Sequence, residues 1–99
     1  MSAAPVTSET FAIPASHPAL PGHFPGQPIV PGVVLLDRVA AALERAGAGR
    51  LARIDAVKFL APLAPEEDVA LSIVAEGTRV RFRIDRDGTP ILRGEGELA

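Results

Sequence analysis

The chain has 99 residues, with ten Lys and Arg against twelve Asp and Glu, two His and no Cys. That length suits one domain over 1–99 with a limited core, so self-association is a natural way to gain buried surface. The slightly negative balance lacks the basic excess of a nucleic-acid binder, and without cysteine there are no disulfides, thiolate nucleophiles or zinc–sulfur sites. No basic segment followed by an apolar run opens the chain, and the longest apolar run, Ile29 to Leu36, contains Pro31 and stops at Asp37. Neither a leader peptide nor a membrane span is expected, which leaves the cytoplasm as the default location.

Thr7 to Ile13 reads as a strand with Phe11 and Ile13 on one face. Pro14 to Gly32 then holds six of the chain's ten prolines, several glycines and both histidines. Such dense punctuation with interleaved apolar residues predicts an ordered, irregular loop packed on the body of the protein. Val33 to Ala46 reads as a helix that starts after Pro31 and ends at Gly47. Val33, Val34, Leu35, Leu36, Val39, Ala40, Ala41, Ala42 and Leu43 cover nearly its whole circumference, so the helix is expected to be buried on all sides.

The rest of the chain supplies strands. Arg50 to Leu60 is bounded by Pro62 and Pro65; Val69, Leu71, Ile73 and Ala75 alternate; Val80, Phe82 and Ile84 alternate with Arg79, Arg81 and Arg83. Leu92, Gly94, Gly96 and Leu98 share one face, with Arg93, Glu95 and Glu97 on the other. This period of two implies antiparallel strands with one wet face. Asp87-Gly88 marks the last hairpin. Matching the faces centres the pairing on Gly88, which sets Phe82 opposite Gly94, Val80 opposite Gly96, Arg81 near Glu95 and Arg79 near Glu97. The expected class is α+β: an antiparallel sheet of about five strands wrapped around one central helix, the chain order of a hot-dog fold.

Three residues draw attention as chemistry. Asp37 interrupts an apolar helix, where it is either a surface charge beside Arg38 or a carboxyl that burial makes a useful acid. Arg38, adjacent to it, is a group that would hold Asp37 ionised. His23 lies in the stiff turn Gly22-His23-Phe24-Pro25-Gly26, either bonded to a loop carbonyl or serving as a general base. Gly32 stands at the start of the helix, where it eases the turn, presents a free N–H to an oxyanion, or both.

The run His23-Phe24-Pro25-Gly26-Gln27-Pro28-Ile29-Val30-Pro31-Gly32-Val33-Val34-Leu35-Leu36-Asp37 resembles the signature of the bacterial 3-hydroxyacyl-[acyl-carrier-protein] dehydratases. In that family an HFPG-type turn is followed by Pro-x-x-Pro-Gly, an aliphatic run and an acidic residue on the central helix. Lys58-Phe59-Leu60-Ala61-Pro62 resembles the family's next strand and turn. The aspartate is similar to the dehydratase/isomerase branch. The short chain and His17-Pro18 look more like the small dehydratases of aryl-polyene-type pigment pathways.

The resemblance implies removal of water from a 3-hydroxyacyl thioester, with His23 and Asp37 catalytic, Gly32 binding the thioester carbonyl, and no metal or cofactor. It also implies an acyl carrier protein as partner and a homodimer or higher homo-oligomer, in which His23 of one chain meets Asp37 of the other. Phe24, Val33, Leu36, Phe59 and Leu60 are candidate linings of the acyl tunnel, or else core packing. Basic residues that the family often carries after Lys-Phe are replaced here by Leu60 and Ala61, so carrier docking falls to other positions. Arg79, Arg81 and Arg83 are candidates, unless Glu95 and Glu97 neutralise them. The alternatives are a hot-dog acyl thioesterase and a catalytically silent acyl-binding subunit. A metal site from His17, His23 and Asp37 matches no standard ligand spacing.

Overall fold

Asp87 and Gly88, at φ 49° and 79°, form a two-residue turn with both residues left-handed. This type I′ geometry matches the twist of paired strands, and glycine and aspartate tolerate it. The turn joins β4 (Arg79–Arg86) to β5 (Thr89–Leu98). Their register sets Phe82 opposite Gly94, Val80 opposite Gly96, Arg81 opposite Glu95 and Arg79 opposite Glu97, as the alternation predicted. Next to the turn the register shifts between Ile84 and Asp85, which leaves Ile91 as an extra residue. Through this bulge both Ile91 and Leu92 are buried.

The computed structural model describes residues 5–20 and 29–99. Its other elements are β1 (Pro5–Phe11), α1 (Gly32–Arg45), β2 (Leu51–Phe59) and β3 (Val69–Glu76). All strand pairs are antiparallel in the order β1-β3-β4-β5-β2, so β1 and β2 are the sheet's edges. β1 ends at Phe11, two residues short of the expected Ile13, yet both side chains are buried. α1 begins at Gly32, with Pro31 capping it, and ends at Arg45, one residue earlier than expected at each end. No helix among the described residues is long and apolar enough to cross a membrane.

The sheet wraps around α1 in the hot-dog arrangement. Val39, Leu43, Leu71, Ile73, Ile84 and Leu92 are sealed between the two. The irregular segments cap this core, since Leu20, Val30 and Leu63 are also buried. The Val30 N–H donates to the Leu63 carbonyl at 2.8 Å, and the Glu66 carboxylate accepts from the Ala15 N–H at 2.7 Å.

One expectation is corrected. α1 is not enclosed on all sides among the described residues: Val34, Leu35, Val39, Ala42 and Leu43 face the sheet, while Val33 is 63% exposed and Asp37 and Glu44 also lie outside. A single five-stranded layer covers one side of a helix and leaves the other open.

Candidate active site

The N-terminus of α1 opens onto a cavity of about 400 Å³. Ile29 to Gly32 and Leu35 form one wall, the end of β2 with Leu60 to Leu63 forms another, and Ile91 closes the floor. The apolar lining follows from the local sequence: Ile29, Val30 and Pro31 lead into the helix without a long polar side chain, and the bulge turns Ile91 inward. Pro31 gives the helix no side-chain cap, and no acidic residue occupies the first turn. The Val34 N–H donates to the Pro31 carbonyl at 3.0 Å, whereas the Gly32 and Val33 N–H groups have no partner among the described residues and are left to a ligand, with the helix dipole favouring negative charge there.

Gly32 sits under the Phe59 ring so closely that a Cβ at this position would collide with it. The glycine is therefore required by the approach of the aromatic ring. Phe59 itself is 54% exposed, and Leu60 is 48% exposed. Of the tunnel candidates, Phe59 and Leu60 reach this cavity together with Gly32. Val33 lies on the outer side of α1 and Leu36 packs on its flank against the core, and neither lines the cavity. His23 and Phe24 lie outside the described residues.

Asp37 is exposed on the outer stripe of α1, one turn beyond Val33 and one turn before Ala40 and Ala41. The structure shows no ion pair between Asp37 and Arg38. The Arg38 guanidinium instead stacks over the Phe11 ring, 4.3 Å from its centroid, and its Nε is buried without a partner among the described residues. The arginine thus serves packing between α1 and β1, a role invisible in the adjacency of Asp37 and Arg38. His17 accepts the Ala19 N–H at Nδ1, 3.1 Å away, and so braces the loop. Among cavity residues, Val30, Leu63 and Ile91 were not anticipated. Pro-x-x-Pro-Gly signals Val30 weakly, whereas nothing local signals the bulge at Ile91.

A family model described as ApeI dehydratase, ApeI-like, matches residues 4–95, a span that contains both His23 and Asp37. The chain belongs to the ApeI-like dehydratase family. Its likeness to small dehydratases of the aryl-polyene type is thereby borne out. The chain is 33% identical to the 3-hydroxyacyl-[acyl-carrier-protein] dehydratase FabZ of Klebsiella pneumoniae subsp. pneumoniae, over 68% of its own length. The FabZ of Salmonella arizonae shows the same identity and coverage. The chain spans about half, 52%, of the length of these relatives.

Among solved structures, the dehydratase heterocomplex ApeI:P from Xenorhabdus doucetiae is similar at a TM-score of 0.82 and 26% identity, covering 100% of this chain and 99% of that one. An uncharacterised protein from Erwinia carotovora subsp. atroseptica shares the fold at a TM-score of 0.80 and 20% identity, covering 100% of this chain and 97% of that one. Both likenesses agree with a hot-dog sheet around one helix.

Proposed function

We propose that the chain is a 3-hydroxyacyl-[acyl-carrier-protein] dehydratase that forms a trans-2-enoyl thioester in the cytoplasm. The observation that carries this reading is the position of Asp37 among Val33, Ala40 and Ala41, on a helix face that the chain's own sheet leaves uncovered. A lone carboxyl amid small and apolar side chains suits an interface better than a solvated surface. The exposed edge strand β2, carrying Ile54 and Phe59 as exposed large apolar residues, is a second incomplete surface. A second protomer that covers both surfaces would bring its His23 to Asp37. The similar chain from Xenorhabdus doucetiae belongs to a dehydratase heterocomplex, so a different second subunit is the other candidate for that place.

In the resulting site the thioester carbonyl oxygen accepts the Gly32 N–H at the edge of the cavity, and the C2–C3 segment lies across the start of α1 toward Asp37. Neutral His23 removes a proton from C2, and the charge that develops on the carbonyl oxygen is stabilised at the helix N-terminus. Asp37 gives its proton to the C3 hydroxyl as the C3–O bond breaks. Water leaves, the C2–C3 double bond forms, and proton transfer from His23 to Asp37 resets the pair. The step is redox-neutral and calls for no cofactor.

The test is to incubate the protein with a 3-hydroxyacyl-carrier-protein thioester and follow both the enoyl product and free thiol. The enoyl product is expected without thiol release. Replacing His23→Ala or Asp37→Asn should each lower kcat/KM by about 10²–10⁴-fold while the acyl thioester still binds. Thiol release without enoyl product would instead identify a thioesterase. Turnover unaffected by His23→Ala would overturn the mechanism.

A further inference from the structure

On the outer face of the sheet, away from α1, strand register arranges the charged residues into rows. At one end Arg79 is neutralised three times over, by Asp55 at 2.9 Å, Glu95 at 3.1 Å and Glu97 at 3.2 Å, and Arg53 also pairs with Asp55. The row at the other end is different. Arg93 on β5 stands directly opposite Arg83 on β4 on one side and Lys58 on β2 on the other. Arg81 occupies the adjoining row, and the Glu95 opposite it is drawn to Arg79.

Arg83 pairs with Asp85 at 3.2 Å, but Arg81, Arg93 and Lys58 make no ion pair among the described residues. All four cations are exposed. Arg81, Arg83 and Arg93, with Ser72, line a shallow depression of about 560 Å³.

Like charges placed directly opposite one another across strands weaken a sheet. Here the arrangement occurs twice in one row, while carboxylates are concentrated at the far end of the same face. Folding alone gives no reason for it.

We infer that this cationic row is the docking surface for an acidic helix of the acyl carrier protein, an assignment that rests on the dehydratase reading above. Charge complementarity and spacing both favour such an occupant. Neighbouring strands set the backbone positions of the row about 4.8 Å apart, close to the roughly 5–6 Å between Cβ atoms at i and i+3 or i+4 along a helix. The depression is shallow and open, which suits a protein surface better than an enclosed small molecule. Its position suits delivery as well. Lys58 belongs to the row and the adjacent Phe59 to the cavity wall, so one sheet thickness separates the docking face from the site. A flexible thioester-bearing arm would then reach the cavity around the end of β2.

The experiment measures binding of holo acyl carrier protein to the wild-type protein, to Arg93→Glu and to Arg50→Glu, alongside each protein's thermal unfolding. Arg93→Glu would convert two like-charge pairs into two opposite-charge pairs. It should weaken carrier binding at least tenfold while raising Tm by about 4 °C. Arg50→Glu makes the same change in net charge outside the row and should leave binding within twofold. Wild-type affinity should also fall with added salt.

Unchanged binding by Arg93→Glu would overturn the proposal, as would an equal loss in Arg50→Glu. So would a row that binds heparin or duplex DNA in an Arg93-dependent way but not the carrier protein. Binding is scored without turnover, so an inactive wild type that still docks in this manner would sink the dehydratase reading and leave the docking surface standing.

Discussion

At the scale of single residues, the packing of Phe59 on Gly32 is the tightest constraint in the site. A methyl group at position 32 must push the ring away from the helix N-terminus. Gly32→Ala should therefore lower stability in denaturant unfolding by about 1–3 kcal/mol, the usual range for overpacking, and should reduce activity. Adding Phe59→Ala to the same chain should recover most of that stability. Recovery in the double variant distinguishes a clash with the ring from an intrinsic backbone requirement at Gly32. Arg38 makes a complementary point. Its aromatic contact with Phe11 shows that sequence adjacency to Asp37 says little about which group a long side chain meets.

At the scale of elements, α1 is two helices in one. Its sheet-facing side, with Val39 and Leu43 fully buried, holds the fold together. Leu43→Ala is expected to cost about 2–5 kcal/mol by urea titration, since the surrounding β-strands cannot collapse into the space. The opposite side is apolar at Val33, Ala40 and Ala41 but contributes little within one chain, while Leu36 at its margin packs against the core. Ala40→Glu should thus leave far-UV circular dichroism unchanged and shift the sedimentation profile from dimer toward monomer. A chain that sediments as a monomer before the change is made would remove the basis for a self-complementing site. The expectation that α1 would be enclosed was drawn from composition, which registers that a surface is apolar but not which chain covers it.

At the scale of the whole molecule, the outer face carries a polarised charge distribution with a measurable acid response. A hydrogen bond from Arg53 holds the Asp55 carboxyl below the usual carboxylate range. The Thr78 hydroxyl, followed by Arg79, does the same for Glu97, against partial desolvation. Because both folded-state values are depressed, their contribution is present above the unfolded values and is lost as pH falls through the lowered ones. The denaturation midpoint should accordingly be flat near neutrality and decline below about pH 4. The groups are solvent-accessible, so the slope should be shallow. Thr78→Ala removes the largest influence on Glu97 and should make that acid limb shallower still.

What the sequence determined by itself was local or periodic. The two-residue alternation assigned the faces of β3, β4 and β5, and Asp87-Gly88 positioned the hairpin well enough to pair Phe82 with Gly94 correctly. The long run from His23 to Asp37 pointed to the family that the comparisons show. Tertiary structure alone settled matters that depend on distances between remote segments. These were the extra residue at Ile91, the ring of Phe59 over Gly32, the turn of Arg38 toward Phe11, and the uncovered face that carries Asp37. Periodicity assigns a side chain to a face because backbone geometry is the same along every strand or helix. What that face then meets depends on how the other elements pack against it.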